Sequence, residues 1–481
     1  MILKQFSQFS ASFTVMEDKL QNEMQQQMED QSLLSCACDF AKDYLAFSKE
    51  RHVFPFEEDI ENLAVFEEVM PVESGQPHEI LNKLNNYGGP ATLPMTGGRY
   101  FGFVNGAVVP IGMAARWLGD AWDQNTALQI ISPICSKLEE VTQKWLIDIF
   151  DLPEHTVAGF VSGTSMATFC GLAAARFHIY KKLGWDWHHK GMFDAPKLNV
   201  IASIQSHSTA VKALGLLGFG KDNIKWIDVD DEGRIKVKKI PHLDEKTIVV
   251  LQAGNVDSGS FDDFESIGKM AEKAGAWIHI DGAFGLWAEA VTELKHLTNG
   301  MQLADSWSVD GHKTLNTPYD NGIVLCKHAN ALSSALHMSG SYIVNSSERD
   351  GMYYTPEMSR RGRIIELWAI MKYLGKNGID EMILTMHKRS LQFRDALSEA
   401  GFNILNDVVF NQVLVACEND VLTLSTLKEI QEDRVCWCGP SEWFGKKVIR
   451  ISVCSWVTTK EDVEKTVASF VRSREKALNI V

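Results

Sequence analysis

The distribution of apolar and polar positions changes character along the chain. Between about residue 155 and residue 330, short apolar runs rich in β-branched residues recur, among them LNVIASIQ (198–205), TIVVLQAG (247–254), AWIHID (276–281) and GIVLCK (322–327). Segments with apolar residues at helical spacing lie between them, such as MATFCGLAAARFHIYKKL (166–183) and FESIGKMAEKAG (264–275). Strands alternating with helices predict an α/β layer architecture around a mostly parallel sheet. Beyond about 364 the pattern becomes one long helical stretch to about 400, then three strand candidates (FNILN, NQVLVAC and KKVIRISVCSW) and a closing helix from about 459. That order predicts a smaller α+β domain. Near the start, Met16, Leu20, Met24 and Met28 fall four apart on one stripe of residues 16–32, as in a helix lying on its own domain or on a partner subunit. The predicted division is an N-terminal helical segment over 1–95, a large α/β domain over 96–375 and a small C-terminal α+β domain over 376–481, with Gly375 and Gly378 punctuating the last boundary.

The 481 residues, 45% of them hydrophobic, suffice for one large core and smaller ones beside it. No apolar run reaches the roughly 20 residues that span a bilayer. The start of the chain lacks the basic residues and apolar stretch of a secretory signal, so the expected location is the cytoplasm, without membrane attachment. A net charge of −15, with no block of Lys and Arg interleaved with aromatics, argues against a nucleic-acid partner. The nine cysteines are scattered, and the close pairs Cys36/Cys38 and Cys436/Cys438 are CxC rather than zinc knuckles. Reduced packing thiols and no metal are expected.

In sheets of this class ligands bind beyond the carboxyl ends of the strands, so the residues just after each apolar run carry the chemistry. Four such places stand out. In SWSVDGHKTLNTP (306–318) a strand pattern ends at Asp310–Gly311 and presents His312 and Lys313; alone, Lys313 reads as a solvated lysine. In WIHIDGAFG (277–285) the strand ends in Asp281, either a turn cap or the buried carboxylate that a pyridoxal ring nitrogen needs to stay protonated. GFVSGTSMATFCGLAAAR (159–176) runs from a strand through Ser162, Gly163, Thr164 and Ser165 into a small-residue helix, which is an ordinary N-cap or a phosphate cradle. In SIQSHSTAVKALGLLG (203–218) His207 precedes another such helix, placed to lie flat on a pyridine ring or simply to be hydrogen-bonded in its loop. The order of the four weighs more than any one of them.

In that order, VSGTSMA, QSHSTAVKA, HIDGAFG and VDGHK resemble the blocks of the fold-type I pyridoxal-phosphate decarboxylases, the group of aromatic-amino-acid, glutamate and diaminobutyrate decarboxylases. The likeness continues through GGRYFGFVNGAVVPIGMAARWLGDAWDQN (97–125), SRRGRIIELWAIMKYLG (359–375) and RISVCSWVTTKEDVEK (450–465). The resemblance implies a PLP-dependent transferase-like fold (aspartate aminotransferase fold type I), pyridoxal 5'-phosphate (PLP) as cofactor in the 96–375 domain, and a homodimer with shared active sites. It implies decarboxylation of an L-amino acid to the amine and CO2. Carried over by position, Lys313 forms the Schiff base, Asp281 pairs with the pyridinium nitrogen, Ala283 packs beneath the ring and His207 stacks on its other face. Thr164 and Ser165 hold the phosphate, with His312 beside them. Tyr342, in HMSGSYIVN, stands where the family has a loop tyrosine that crosses the dimer and protonates the product carbanion; Tyr353 and Tyr354 are alternatives. Relatives that replace this tyrosine divert to oxidative deamination.

The chain also departs from that pattern. QAGNVDSGSFDDF (252–264) replaces a Thr-rich turn and sets Asn255 near the ring, and Asp310–Gly311 stands where several relatives have Asn-Pro. These features, with WDQN (122–125), resemble a branch labelled loosely as aminotransferases. A transaminase clamps the substrate carboxylate with a bidentate arginine, for which Arg361 and Arg363 are candidates. A carbon–carbon lyase of the sphingosine-phosphate lyase kind would want an extra basic site and a membrane anchor, and the sequence shows neither. Tyr100, Phe101, Phe103 and Asn105 are candidates for the substrate pocket or for core; as pocket they favour an aromatic or apolar amino acid.

Overall fold

The structure is a computed structural model that describes residues 19–337 and 348–480. It divides into two units, Met1–Pro94 and Met95–Val481. The larger is built on a seven-stranded sheet: β1 (Val157–Val161), β2 (Asn199–Ser203), β3 (Ile224–Ile227), β4 (Thr247–Gln252), β5 (Trp277–Asp281), β6 (Ser306–Asp310) and β7 (Gly322–Cys326), in the order β1-β7-β6-β5-β4-β2-β3. Strand β7 runs antiparallel to both β1 and β6, and the remaining pairs are parallel. Every residue of β4 through β7 is buried. Helices on both faces require this, and it explains why these strands read as continuous apolar runs rather than alternating ones.

The small residues of the helix Thr164–Lys182 follow from how closely it lies on the sheet. A Cβ at Gly171 would come 2.7 Å from the ring of His279, the polar residue in the middle of β5. That imidazole is fully buried, accepts or donates at Ser306 Oγ (2.8 Å), and is driven by burial to a pKa of about 3, so it is neutral. Seating the helix this tightly sets its first turn at the end of β1.

After β7, the helix Ile364–Glu399 leaves helical geometry at Gly375, where φ is 59°, a conformation that glycine adopts without a Cβ penalty. A second sheet follows, antiparallel throughout: β8 (Asn403–Ile404), β9 (Gln412–Ala416), β10 (Gly439–Trp443) and β11 (Lys446–Ser452), in the order β10-β11-β9-β8. The helix Lys460–Ile480 closes the chain's described part. Periodicity foresees β9, β11 and this helix but not β10, whose Gly439–Pro440 start suits only a sheet edge. It also passes over β3 and the helices Pro110–Trp122 and Pro133–Ile149, each opened by proline at the first helical position.

In the smaller unit the predicted 16–32 helix is observed as Lys19–Asp30, broken from Ser32–Phe47 at Gln31 (φ 56°); Met16 lies outside the described residues. The apolar stripe is not covered by this unit: Leu20, Met24 and Met28 are 55%, 50% and 78% exposed. No residue of Lys19–Asp30, Ser32–Phe47 or Pro77–Lys83 is buried. Among the described residues, no helix is long and apolar enough to cross a membrane.

Candidate active site

The carboxyl ends of β1, β4, β5 and β6 surround a cavity of about 310 Å³. Thr164, Ser165, His207, Asp281, Ala283, His312 and Lys313 all line it, so the strand-end residues singled out in the sequence meet in one place. Tyr342 lies outside the described residues. Tyr353 and Tyr354 are described and do not line the cavity; the Tyr354 ring carries the Arg349 guanidinium at 4.1 Å.

Asp281 ends β5 as a buried carboxyl that accepts the Ala283 amide at 3.2 Å. Burial pushes its pKa up, while His207 and Lys313 pull it down. A buried carboxylate of this kind calls for a cationic partner. His207 caps the helix Ser208–Leu216: its Nδ1 accepts the Thr209 amide at 3.3 Å and meets the Thr209 hydroxyl at 2.7 Å. Burial lowers its pKa, with Asp281 opposing, so it is a neutral ring whose proton sits on Nε2.

Lys313 follows β6 by one turn, with Nζ 3.1 Å from Asp310 Oδ2. His312 accepts the Asn321 amide on Nδ1 at 3.0 Å, which leaves Nε2 as the protonated nitrogen, 3.5 Å from Asp310 Oδ2. Burial lowers the His312 pKa. Asp310 Oδ1 accepts the Thr164 amide at 2.6 Å, tying the β6 turn to the first turn of the helix after β1. The sequence marks Asp310 only as a departure from relatives, and its link to Thr164 was not foreseen.

Two other expectations, for Asn255 and for the arginine pair, need correction, and the alternative left open for Phe101 is decided. Asn255 does not face the cavity, which Gly254 and Val256 line on either side of it; its amide is spent on Gln205 Oε1 (3.1 Å) and on the amides of Asp257 and Ser258. Phe101 is core, packed edge-on against Phe393. Arg361 and Arg363 are not free to clamp a carboxylate: both pair with Asp320, at 2.9 and 3.1 Å, and Arg361 also pairs with Glu366 at 2.7 Å. Sequence reasoning also passed over Arg450 on β11, which donates to the Val256 carbonyl at 3.0 Å and helps lower the His207 pKa.

The donors present fit PLP. Thr164 Oγ1 and Gln252 Nε2 belong to lining residues and are buried polar atoms without a protein partner. Thr164 and Ser165 open a helix whose N–H groups favour an anion. Asp281 suits a protonated ring nitrogen and Lys313 an aldehyde.

Residues 97–416 match the family model described as the pyridoxal-dependent decarboxylase conserved domain. The chain is 26% identical over 443 residues to aromatic-L-amino-acid decarboxylase of Rattus norvegicus, covering 87% of this chain and 91% of the rat protein. It is 27% identical over 350 residues to the Sus scrofa aromatic-L-amino-acid decarboxylase, covering 67% and 71%. The solved structure of Oryza sativa TDC with PLP and tryptamine shares its fold, with a TM-score of 0.85 over 93% of this chain and 98% of that one at 20% identity. The fold is thus the PLP-dependent transferase-like one, and the aminotransferase alternative finds no support. With the family model spanning the whole seven-stranded sheet and the cavity at its strand ends furnished for PLP, the chain belongs to the pyridoxal-dependent decarboxylase family and is a PLP-dependent amino-acid decarboxylase.

Proposed function

We propose that the chain converts an aromatic L-amino acid to its amine and CO2, with Lys313, Asp281, His207 and Tyr342 carrying the reaction. The observation behind this reading is the meeting of Lys313 and Asp281 in one small cavity whose other walls are Ala283, His207 and the Thr164 turn. Bound PLP supplies a protonated pyridine ring that accepts the electron pair released at Cα. Lys313 would hold the cofactor through its aldehyde carbon. Asp281 keeps the proton on the ring nitrogen. Ala283 and the neutral His207 ring would pack against the heterocycle, and Thr164 and Ser165 would hold its phosphate, next to His312. Tyr342 delivers the proton to Cα after CO2 leaves.

Two features favour decarboxylation of a neutral, aromatic substrate. Arg361 and Arg363 are committed to Asp320, so neither holds the carboxylate in the ring plane as transamination requires. Among the described residues lining the cavity, Lys313 is the one Lys or Arg, and Val104 and Phe284 are apolar, which disfavours an acidic side chain. Tyr100 and Phe103, beside Val104, stack on Trp437 with ring centroids 5.4 and 6.2 Å apart. The test is to incubate the protein and PLP with a panel of amino acids and diaminobutyrate and to measure CO2, amine and keto acid separately. Equal amounts of amine and CO2 from aromatic substrates are expected; keto acid without CO2 refutes the reading. Tyr342→Phe is expected to cut amine formation by about 10²–10⁴-fold, the scale of a lost general acid, and to raise the share of aldehyde and ammonia, with dissolved O2 as the oxidant reduced to hydrogen peroxide.

We infer also that the active form is a homodimer with shared sites. The uncovered apolar positions of the 19–94 unit, Leu20, Met24 and Met28 among them, form the kind of exposed surface that a second subunit buries. Sedimentation equilibrium is expected to give twice the 53.8 kDa chain mass, and a chain-mass value overturns the inference. Nine cysteines, none in a disulfide, agree with the reducing cytoplasm.

A further inference from the structure

Asp310 sits between the residues that would hold the cofactor's phosphate and its aldehyde. Its side chain is only 3% exposed. One oxygen accepts the Thr164 amide at 2.6 Å, and the other lies 3.1 Å from Lys313 Nζ and 3.5 Å from His312 Nε2. The Thr164 amide belongs to the first turn of the helix Thr164–Lys182, the turn that offers donors to an anion. Thr164 Oγ1, on the same residue, is buried without a partner. A carboxylate therefore already holds one of the donors at the place where a phosphate would be received.

We propose that Asp310 sets the affinity for the cofactor's phosphate, by occupying the Thr164 amide and by presenting a fixed negative charge to the incoming anion. The inference rests on the assignment of Thr164 and Ser165 as the phosphate cradle. Two anions sharing one helix start in a partly desolvated cavity repel each other strongly, and the only Lys or Arg among the described lining residues, Lys313, is the group the aldehyde consumes. Asp310 keeps its place because three donors converge on it. An asparagine there keeps an oxygen for the Thr164 amide, gains an N–H for the phosphate and loses the charge.

The experiment compares dissociation constants of PLP and of pyridoxal, which lacks the phosphate, for wild type and Asp310→Asn, read from the visible absorbance of the protein-bound ligand. Removing the Lys313 ion-pair partner eases attack by the lysine amine on both ligands alike, so that effect cancels in the ratio. The preference for PLP over pyridoxal is expected to rise by about tenfold or more in Asp310→Asn, the scale of one removed like charge in a half-shielded site. An unchanged or reduced preference overturns the role of Asp310. If wild type and Asp310→Asn both bind the two ligands equally, the Thr164 cradle is misassigned and both readings fall. Should the asparagine variant not fold, Asp310→Ser, which keeps an oxygen acceptor and removes the charge, carries the same comparison.

Discussion

Replacing Lys313 with alanine is expected to lower decarboxylation by more than about 10⁴-fold, as loss of a covalent-catalysis group does, and to abolish the lysine-dependent visible absorbance of the bound cofactor in the same variant. The two losses belong together because the same nitrogen does both jobs. The side chain reaches the cavity from the turn after β6, and no other described residue lining it is an amine. Cofactor still binds the variant through the phosphate and ring contacts, so equilibrium dialysis separates lost chemistry from lost binding. Turnover that survives undiminished sinks the assignment.

Asp281→Asn is expected to reduce turnover by about 10²–10⁴-fold, because breaking a buried charge pair costs about 3–5 kcal/mol. The protein without cofactor gives a second, independent readout. Burial raises the Asp281 pKa above its value in the unfolded chain, so the folded state binds the proton more tightly. Its favourable contribution is complete below the unfolded pKa and is lost as pH rises through the folded one. At pH 8 the asparagine variant, free of this cost, is expected to melt no lower than wild type, while gaining less from added PLP. A variant that melts well below wild type yet gains as much from PLP contradicts the ring-nitrogen role, as does full activity.

Lys313, Asp281, His207 and Thr164 were legible in the sequence because each ends or closely follows a largely buried strand, and such strands announce themselves as apolar runs. The sheet order that makes them neighbours was not legible. Asp310 and Thr164 are separated by 146 positions, and only the placement of β7 between β1 and β6 brings them to 2.6 Å. Periodicity carries no record of that. The pairing of Arg361 and Arg363 with Asp320 was equally hidden, since an arginine's partner is fixed by the fold rather than by spacing. In the 19–94 unit the reverse held: the stripe was visible, but its exposure could be known only from the three-dimensional arrangement. The N-terminal, large and C-terminal division read from the pattern stays a proposal at its 375/376 edge, where Gly375 interrupts the helix.

Strand β7 has a further meaning. Its first residue, Gly322, pairs with Val161 at the end of β1 and with Asp310 at the end of β6. One glycine thus stands between the two turns proposed to hold the coenzyme, and their spacing is set by hydrogen-bonded backbone as well as by the Asp310 side chain. The segment around Tyr100 and Phe103 belongs to neither turn. Substitutions around Tyr100 and Phe103 therefore leave that backbone ladder untouched.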